Sequence, residues 1–271
     1  MQECKIYDNF PILPEISIVI PSYNQAKYIE QTILSILDEG YPKIEIIVID
    51  GGSTDESTEI IKKYEDKLAY WISEPDKGQA HAINKGFSKA TGEVLGWINS
   101  DDYYVPGYLY SVGEAFAKDR TLDIVYGNSI TLDERDGKIY KSYGKFILDK
   151  YLIFGAIVDS HTTFWRSNIH VPLDEKVNCA MDYELWLRLL KKRKKHHINM
   201  FGGVFRLQEE SKSLGKADTF KRKWMEDDIY IREKHGIENP RFLLVKEYLL
   251  VNLLYRYFCI VQIWLRGGYL R

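Results

Sequence analysis

Glu93-Val94-Leu95-Gly96-Trp97-Ile98 runs straight into Asn99-Ser100-Asp101-Asp102. The first six residues read as a short apolar strand and the next four as a polar turn at its carboxyl end. Two adjacent carboxylates at such a place repel each other. They resist losing water unless a cation or hydrogen-bond donors compensate them. The same grammar repeats upstream. Ile16-Ser17-Ile18-Val19-Ile20 is a strand closed by Pro21 and followed by Ser22-Tyr23-Asn24. Residues 44–49 form a second apolar strand, ending in Asp50-Gly51-Gly52-Ser53, and residues 68–72 a third. Between them, residues 27–39 place Ile29, Ile33, Leu34, Ile36 and Leu37 on one helical face, with Gly40 and Pro42 as the stop. Residues 54–65, with acids in the first turn, and 79–90 read as further helices. This alternation predicts a mostly parallel α/β sheet with helices on both faces, and ligands on such sheets bind at the carboxyl ends of the strands.

After about Asp123 the pattern changes. Residues 124–126 and 130–132 read as strands, and Asp136-Gly137 as a hairpin turn into 138–143. Residues 182–190 are amphipathic, with Leu185, Trp186, Leu189 and Leu190 as the apolar face. The helix is expected to end in Lys191-Lys192-Arg193-Lys194-Lys195-His196-His197. That run suits a solvated helix end, or a surface meeting anionic lipid or a diphosphate; seven such residues together favour a surface role. Residues 243–270 carry an apolar, aromatic run from Tyr248 to Arg266, interrupted by Asn252, Arg256 and Gln262. It is nearly long enough to span a bilayer, but an Arg near its centre is expensive there. An interfacial helix, a helix on a partner, or one closing the core fits better.

Bulk properties narrow the class. A chain of 271 residues with 45% hydrophobic content supports one large α/β domain, with or without a small appendage. A net charge of −2 argues against an electrostatic nucleic-acid binder. Cys4, Cys179 and Cys259 make no CxxC and no metal spacing, so free thiols in a reducing compartment are expected. The first 15 residues show no basic, apolar leader pattern.

The strand ends look like a nucleotide site. Ser22 and Asn24 offer donors and acceptors, Tyr23 an aromatic face, and Asp50 a carboxylate for a ribose hydroxyl or base N–H. Gly51-Gly52 permits close backbone approach. Each alone reads as an ordinary turn; together they favour a site. No G-x-G-x-x-G follows the first strand, and no G-x-x-x-x-G-K-[ST] occurs. A dinucleotide dehydrogenase or P-loop enzyme is therefore disfavoured. A divalent cation carrying a diphosphate would answer the Asp101-Asp102 pair, since magnesium and manganese bind diphosphates through few protein carboxylates.

The ordered set Pro21-Ser22-Tyr23-Asn24, Val48-Ile49-Asp50-Gly51-Gly52-Ser53-Thr54-Asp55, Ser73-Glu74-Pro75-Asp76-Lys77-Gly78, Asn84-Lys85-Gly86, Ala90-Thr91-Gly92-Glu93 and Asn99-Ser100-Asp101-Asp102 resembles family 2 glycosyltransferases. The match covers roughly residues 16–206, and the branch it looks most like assembles bacterial surface polysaccharides such as O-antigen and capsule. The resemblance implies a GT-A fold and an inverting, metal-dependent transfer from a nucleotide-sugar, with a preference for uridine. It gives Asp102 to a Mn2+ or Mg2+ ion and Asp101 to the ribose or the metal. It places Pro21, Ser22, Tyr23, Asn24, Asp50, Gly51, Asp76, Lys77, Gly78, Asn84 and Ser100 beside the donor, with Lys85 near them. Met181-Asp182-Tyr183-Glu184-Leu185-Trp186-Leu187-Arg188 matches the segment bearing the family's base. Asp182 is thus the expected base, and a helix N-cap as well. His161, in His161-Thr162-Thr163-Phe164-Trp165-Arg166, and Trp186 fall on the acceptor side; His161 reads equally as a hydrogen-bonded structural residue.

Three departures stand out. Gly51 replaces a second acid, Met181 stands where relatives often carry an acid, and Gln208 follows Phe205-Arg206-Leu207 where a His is common, so no third metal ligand is assigned. The expected layout is a transferase domain over 1–210, with a nucleotide part at 15–128 and an acceptor part at 129–210. A helical segment at 211–271, open to membrane association, completes it. The acceptor would be a glycan, expected to be lipid-linked, and the enzyme peripheral at the cytoplasmic face of the membrane, with a homo-oligomer left open. Two competing readings are a catalytically silent membrane-associated assembly partner and a sugar-nucleotide nucleotidyltransferase. The second would want a Gly-rich basic loop that Pro21 to Lys27 does not supply.

Overall fold

The computed structural model describes residues 12–208, 217–238 and 242–265. Cys4 and most of the leader reading, the 210/211 boundary, and the end of the apolar run at Arg266 and Leu270 lie outside the described residues. The parallel half follows the expected alternation: β1 (Ile16–Ser22), α1 (Ile29–Leu37), β2 (Ile44–Asp50), α2 (Ser57–Lys62), β3 (Tyr70–Ser73), α3 (Gln79–Phe87) and β4 (Val94–Trp97). The second half adds β5 (Tyr103–Tyr104), α4 (Tyr108–Lys118), β6 (Ile124–Asp133), β7 (Lys138–Ser142), β8 (Thr163–Arg166), α5 (Met181–Leu189), β9 (Lys195–Leu207), α6 (Ala217–His235) and α7 (Phe242–Leu265).

These strands make one sheet of order β3-β2-β1-β4-β8-β6-β9-β5, with β7 on the outer half of β6. β1 to β4, β6 and β9 run one way; β5, β7 and β8 oppose them. This mostly parallel α/β sheet has the GT-A architecture that the resemblance implies. The strand periodicity divides its side chains between two cores. Val19, Ile47, Ile49 and Trp97 face α3 and α5. Ile18, Ile20, Val48 and Ile98 face α1 and α4. Helices therefore cover both faces.

Three details differ from the sequence reading, the first being that the two strands expected at 124–126 and 130–132 are one, β6. Pro21 does not end β1; it pairs with Ile49 inside it. The Ser22 carbonyl accepts the Gly51 N–H at 2.8 Å, so Pro21, one residue earlier, faces the β4 side. β4 reaches only as far as the Ile98 N–H bond to Val19, and no ladder donor is needed beyond it. The basic run does not end a helix. α5 stops at Leu189, Lys192 takes a left-handed φ of 57°, and Lys195-His196-His197 opens β9. His197 then lies against Asn128 and Tyr255, both at 2.9 Å, while residues 191–194 and His196 stay exposed.

Candidate active-site cleft

A cleft of about 1140 Å3 opens where β1, β2 and β4 end. One wall comes from the strand-end loops, and Pro21, Ser22, Tyr23, Asn24, Gly51, Asp76, Gly78, Ser100 and Asp101 all line it. The loops are stitched to one another. Asn24, at a φ of 52°, donates its N–H to Ser53 Oγ at 2.8 Å, and its Oδ1 accepts the Thr54 N–H at 2.8 Å. Asn tolerates that backbone region better than most residues. Asp76 accepts the Gly78 N–H at 2.7 Å ahead of α3. The space beside Gly51 belongs to Asp76. A Cβ at position 51 would stand 2.6 Å from Asp76 Oδ2. That gives a physical reason why no second acid follows Asp50. Ser22 Oγ is buried and lacks a hydrogen-bond partner, yet its residue lines the cleft. Such a hydroxyl is available to a ligand.

The two adjacent aspartates part company. Asp102 is 1% exposed and does not line the cleft. Thr32 of α1 draws the turn inward, its Oγ1 donating to the carbonyls of Ser100 at 2.9 Å and Asp102 at 2.7 Å. The Asp102 carboxylate then accepts the Arg206 N–H at 2.9 Å and Asn99 Nδ2 at 3.1 Å, which locks the turn to β9. Burial, then the neighbouring Asp101, holds its carboxyl well above the usual range. Asp101 points into the cleft, where Oδ2 accepts Gln208 Nε2 at 2.9 Å. Burial raises its carboxyl too. Among the described residues no group of three or more His, Cys, Asp or Glu could hold a metal by itself. A cation on a diphosphate takes most of its ligands from phosphate and water, so one cleft-facing carboxylate is a fitting protein contribution. Of the pair, Asp101 lines the cleft and Asp102 does not.

The far wall gathers distant segments: Asp159 to His161, Asn178 to Tyr183, and Trp224, Asp228 and Arg232 of α6. Asp182 sits in the first turn of α5, not at its N-cap, which is Ala180. Asp227 of α6 fastens the turn that leads into α5. Its buried carboxylate accepts the N–H groups of Asn178 at 3.1 Å, Cys179 at 2.6 Å and Ala180 at 3.1 Å. Asp182 lines the cleft while its Oδ1 accepts the Tyr183 N–H at 2.7 Å. Burial, reinforced by the nearby Asp159, pushes its carboxyl up to about 6, a value suited to a base at neutral pH. His161 is 4% exposed, its Nε2 has no partner, and burial holds the ring neutral by lowering its basicity.

Several expected residues stand elsewhere. Asp50 is fully buried, and its carboxylate accepts from Gly52 N, Ser53 N, Ser53 Oγ and Ser73 Oγ, so it shapes the loop from beneath. Lys77 is exposed beside the cleft without lining it. Asn84 clamps Leu173 to α3 through both its amide atoms, at 2.8 and 3.0 Å. Lys85 pairs with Glu74. Trp186 is a core residue, stacked on Trp97 with centroids 5.5 Å apart and flanked by Trp165. It anchors α5 beneath Asp182 and does not line the cleft. Asp159, Asp227 and the α6 residues escaped sequence reasoning. Asp227 left one trace: it stands four residues before the fully buried Ile231, on the same helical face.

With this geometry in hand, comparison with known proteins is informative. The signature of Glycosyl transferase family 2 matches residues 17–169. Chondroitin synthase of Pasteurella multocida is 29% identical over 215 residues, covering 78% of this chain and 22% of that protein. The chain thus spans under a quarter of that relative. The crystal structure of S. aureus TarS 1–349 in complex with UDP-GlcNAc superposes with a TM-score of 0.61 at 19% identity, covering 73% of this chain and 60% of that one. Mannosyltransferase PcManGT of Pyrobaculum calidifontis, in complex with GDP-Man and Mn2+, gives 0.61 at 16%, covering 95% and 77%. At these identities the structural likeness speaks for the fold.

Proposed function

Because the chain belongs to glycosyl transferase family 2, we propose that it transfers a sugar, with inversion, from a nucleotide-diphosphate sugar to a glycan hydroxyl. The observation carrying this reading is that Asp101 and Asp182 face one cleft from opposite walls. The first wall takes the donor. Tyr23 offers a face to the base, Ser22 Oγ a free hydroxyl, and Asp76 an acceptor for a ribose or base donor. Asp101 would hold a Mn2+ or Mg2+ ion on the diphosphate, and that ion when bound acts as a Lewis acid neutralising the leaving group's charge. Asp182 takes the proton from the acceptor hydroxyl as its oxygen bonds to the anomeric carbon. The bond from that carbon to the diphosphate oxygen breaks on the opposite face, and the nucleoside diphosphate departs with the electron pair.

A UDP-sugar is the donor class we propose, supported by the resemblance of the strand-end motifs. A lipid-linked acceptor, and a place for the enzyme at the cytoplasmic face of a membrane in surface-polysaccharide synthesis, are proposed on the same ground. We assign the donor part to 15–128 and the acceptor part to 129–210, with a helical segment at 211–271 whose α6 also lines the cleft. The test is a panel of nucleotide sugars assayed for hydrolysis and transfer with and without manganese. The reading expects one donor class to be turned over with metal and turnover to vanish in Asp101→Ala. Absence of binding to every nucleotide sugar, with metal or without, would overturn it.

A further inference from the structure

Helix α7 is inside out. Its polar stripe faces the protein. Tyr248 stacks on Phe154 at 4.4 Å, Asn252 Oδ1 accepts the Phe146 N–H at 3.0 Å, and Tyr255 Oη meets His197 Nδ1 at 2.9 Å. The Cys259 carbonyl accepts Asn199 Nδ2 at 2.8 Å. Those positions recur at helical spacing, so one face is fixed to β9 and its neighbours. The opposite face is apolar: Leu249, Leu250, Leu253, Leu254, Tyr257 and Phe258 are each 53% to 70% exposed. The surface continues onto β7, where Ile139 shares a face with Lys141, and onto Phe146, whose ring lies 5.7 Å from Tyr255. An apolar surface of this extent is covered in use.

Charge identifies the cover. Arg256 lies over Tyr143 at 5.7 Å, and Lys141 over Phe201 at 5.5 Å. Lys191, Lys192 and Arg193 project from the turn before β9. That turn is held near α7, because the Lys192 N–H donates to Asp149 and the next residue, Lys150, pairs with Glu247. These five cations form no ion pair among the described residues, whereas the local acids Asp136, Asp149 and Glu247 are each paired. A two-fold contact between copies would set this cationic rim against itself. No helix among the described residues is long and apolar enough to cross a membrane. We infer that the α7–β7 face docks flat on an anionic lipid bilayer, its leucines and aromatics in the acyl boundary and its cations among the headgroups. This deepens the lipid-linked acceptor proposed above but does not rest on it, since the surface lies outside the cleft.

The test is co-sedimentation of the full chain with phosphatidylcholine vesicles, with and without phosphatidylglycerol, alongside donor binding in solution. The protein is expected to pellet with the anionic vesicles and to be released by salt. Leu249→Ser/Leu253→Ser/Leu254→Ser is expected to lower partitioning by on the order of a hundredfold while donor binding persists. Charge reversal in the exposed turn, Lys191→Glu/Lys192→Glu/Arg193→Glu, reads the electrostatic half without touching the helix and should give about a tenfold loss. Failure to pellet with anionic vesicles, pelleting that ignores both variants, or a stable dimer that the leucine variant dissolves would overturn the inference. None of these outcomes bears on donor binding, so the transfer reading stands or falls separately.

Discussion

The two walls of the cleft are built in opposite ways. The donor wall is local: each loop follows a parallel strand, and short hydrogen bonds such as Asn24 Oδ1 with the Thr54 N–H tie neighbouring loops together. The far wall is assembled at long range. Asp182 is set in place by Asp227, which stands 45 positions later in the chain, and by Trp186 packed on Trp97 of β4. The difference teaches where each kind of site can be tuned. A donor loop can change a residue while its strand keeps the backbone. A change on the far wall reaches Asp182 through several packed elements.

The largest effect expected from breaking this division is on the donor wall. Asp101→Asn should lower transfer by about a thousandfold or more, because the leaving diphosphate loses its charge compensation; steady-state kinetics on the identified donor would read this. Asp182→Asn should lower turnover by about 10²–10⁴-fold with donor binding retained, the usual loss on removing a base.

The pH profile sharpens the same assignment. Asp182 is held at about 6, so turnover at saturating donor should fall as pH drops through that value. The sign for stability is opposite. A carboxyl raised on folding contributes stability in full below the ordinary aspartate range and loses it as pH rises through about 6. Asp182→Asn should therefore unfold later than the parent protein above pH 6, by roughly 1–3 kcal/mol. A base that is also a destabilising buried charge should show both behaviours.

Asp227→Ala removes the acceptor for three N–H groups at the entry to α5. A loss of about 2–3 kcal/mol in unfolding experiments is expected. Turnover should fall while the affinity for donor stays constant, which separates far-wall positioning from donor binding. Gly51→Ala should have the smallest effect. Its Cβ displaces the Asp76 carboxylate, and about a three- to tenfold rise in donor KM is expected, since the far end of a flexible side chain can yield.

The same contrast explains what could be read without a structure. The strand–helix alternation up to Ile98 was legible because strand periodicity and turn residues act over a few positions. So was the clustering of Ser22, Gly51, Asp76 and Asp101 at one sheet end. Which of Asp101 and Asp102 faces the cleft was not legible. Thr32 of α1 and the Arg206 N–H of β9 decide it, and neither lies near the pair in sequence. Trp186 was expected on the acceptor side, but its ring is claimed by Trp97 and Trp165. The basic run looked like one feature until a left-handed Lys192 divided it between a turn and a strand. The buried placement of Asp50 follows from four donors that surround it only after the loop has closed.

Calorimetric titration of a nucleotide-sugar in manganese, run in parallel on the parent protein, Asp101→Asn and Asp182→Asn, tests the division between the walls most directly. The account predicts that the parent and Asp182→Asn bind alike and that Asp101→Asn loses metal-dependent binding. Unchanged metal-dependent binding by Asp101→Asn, with binding lost in Asp182→Asn, would contradict it.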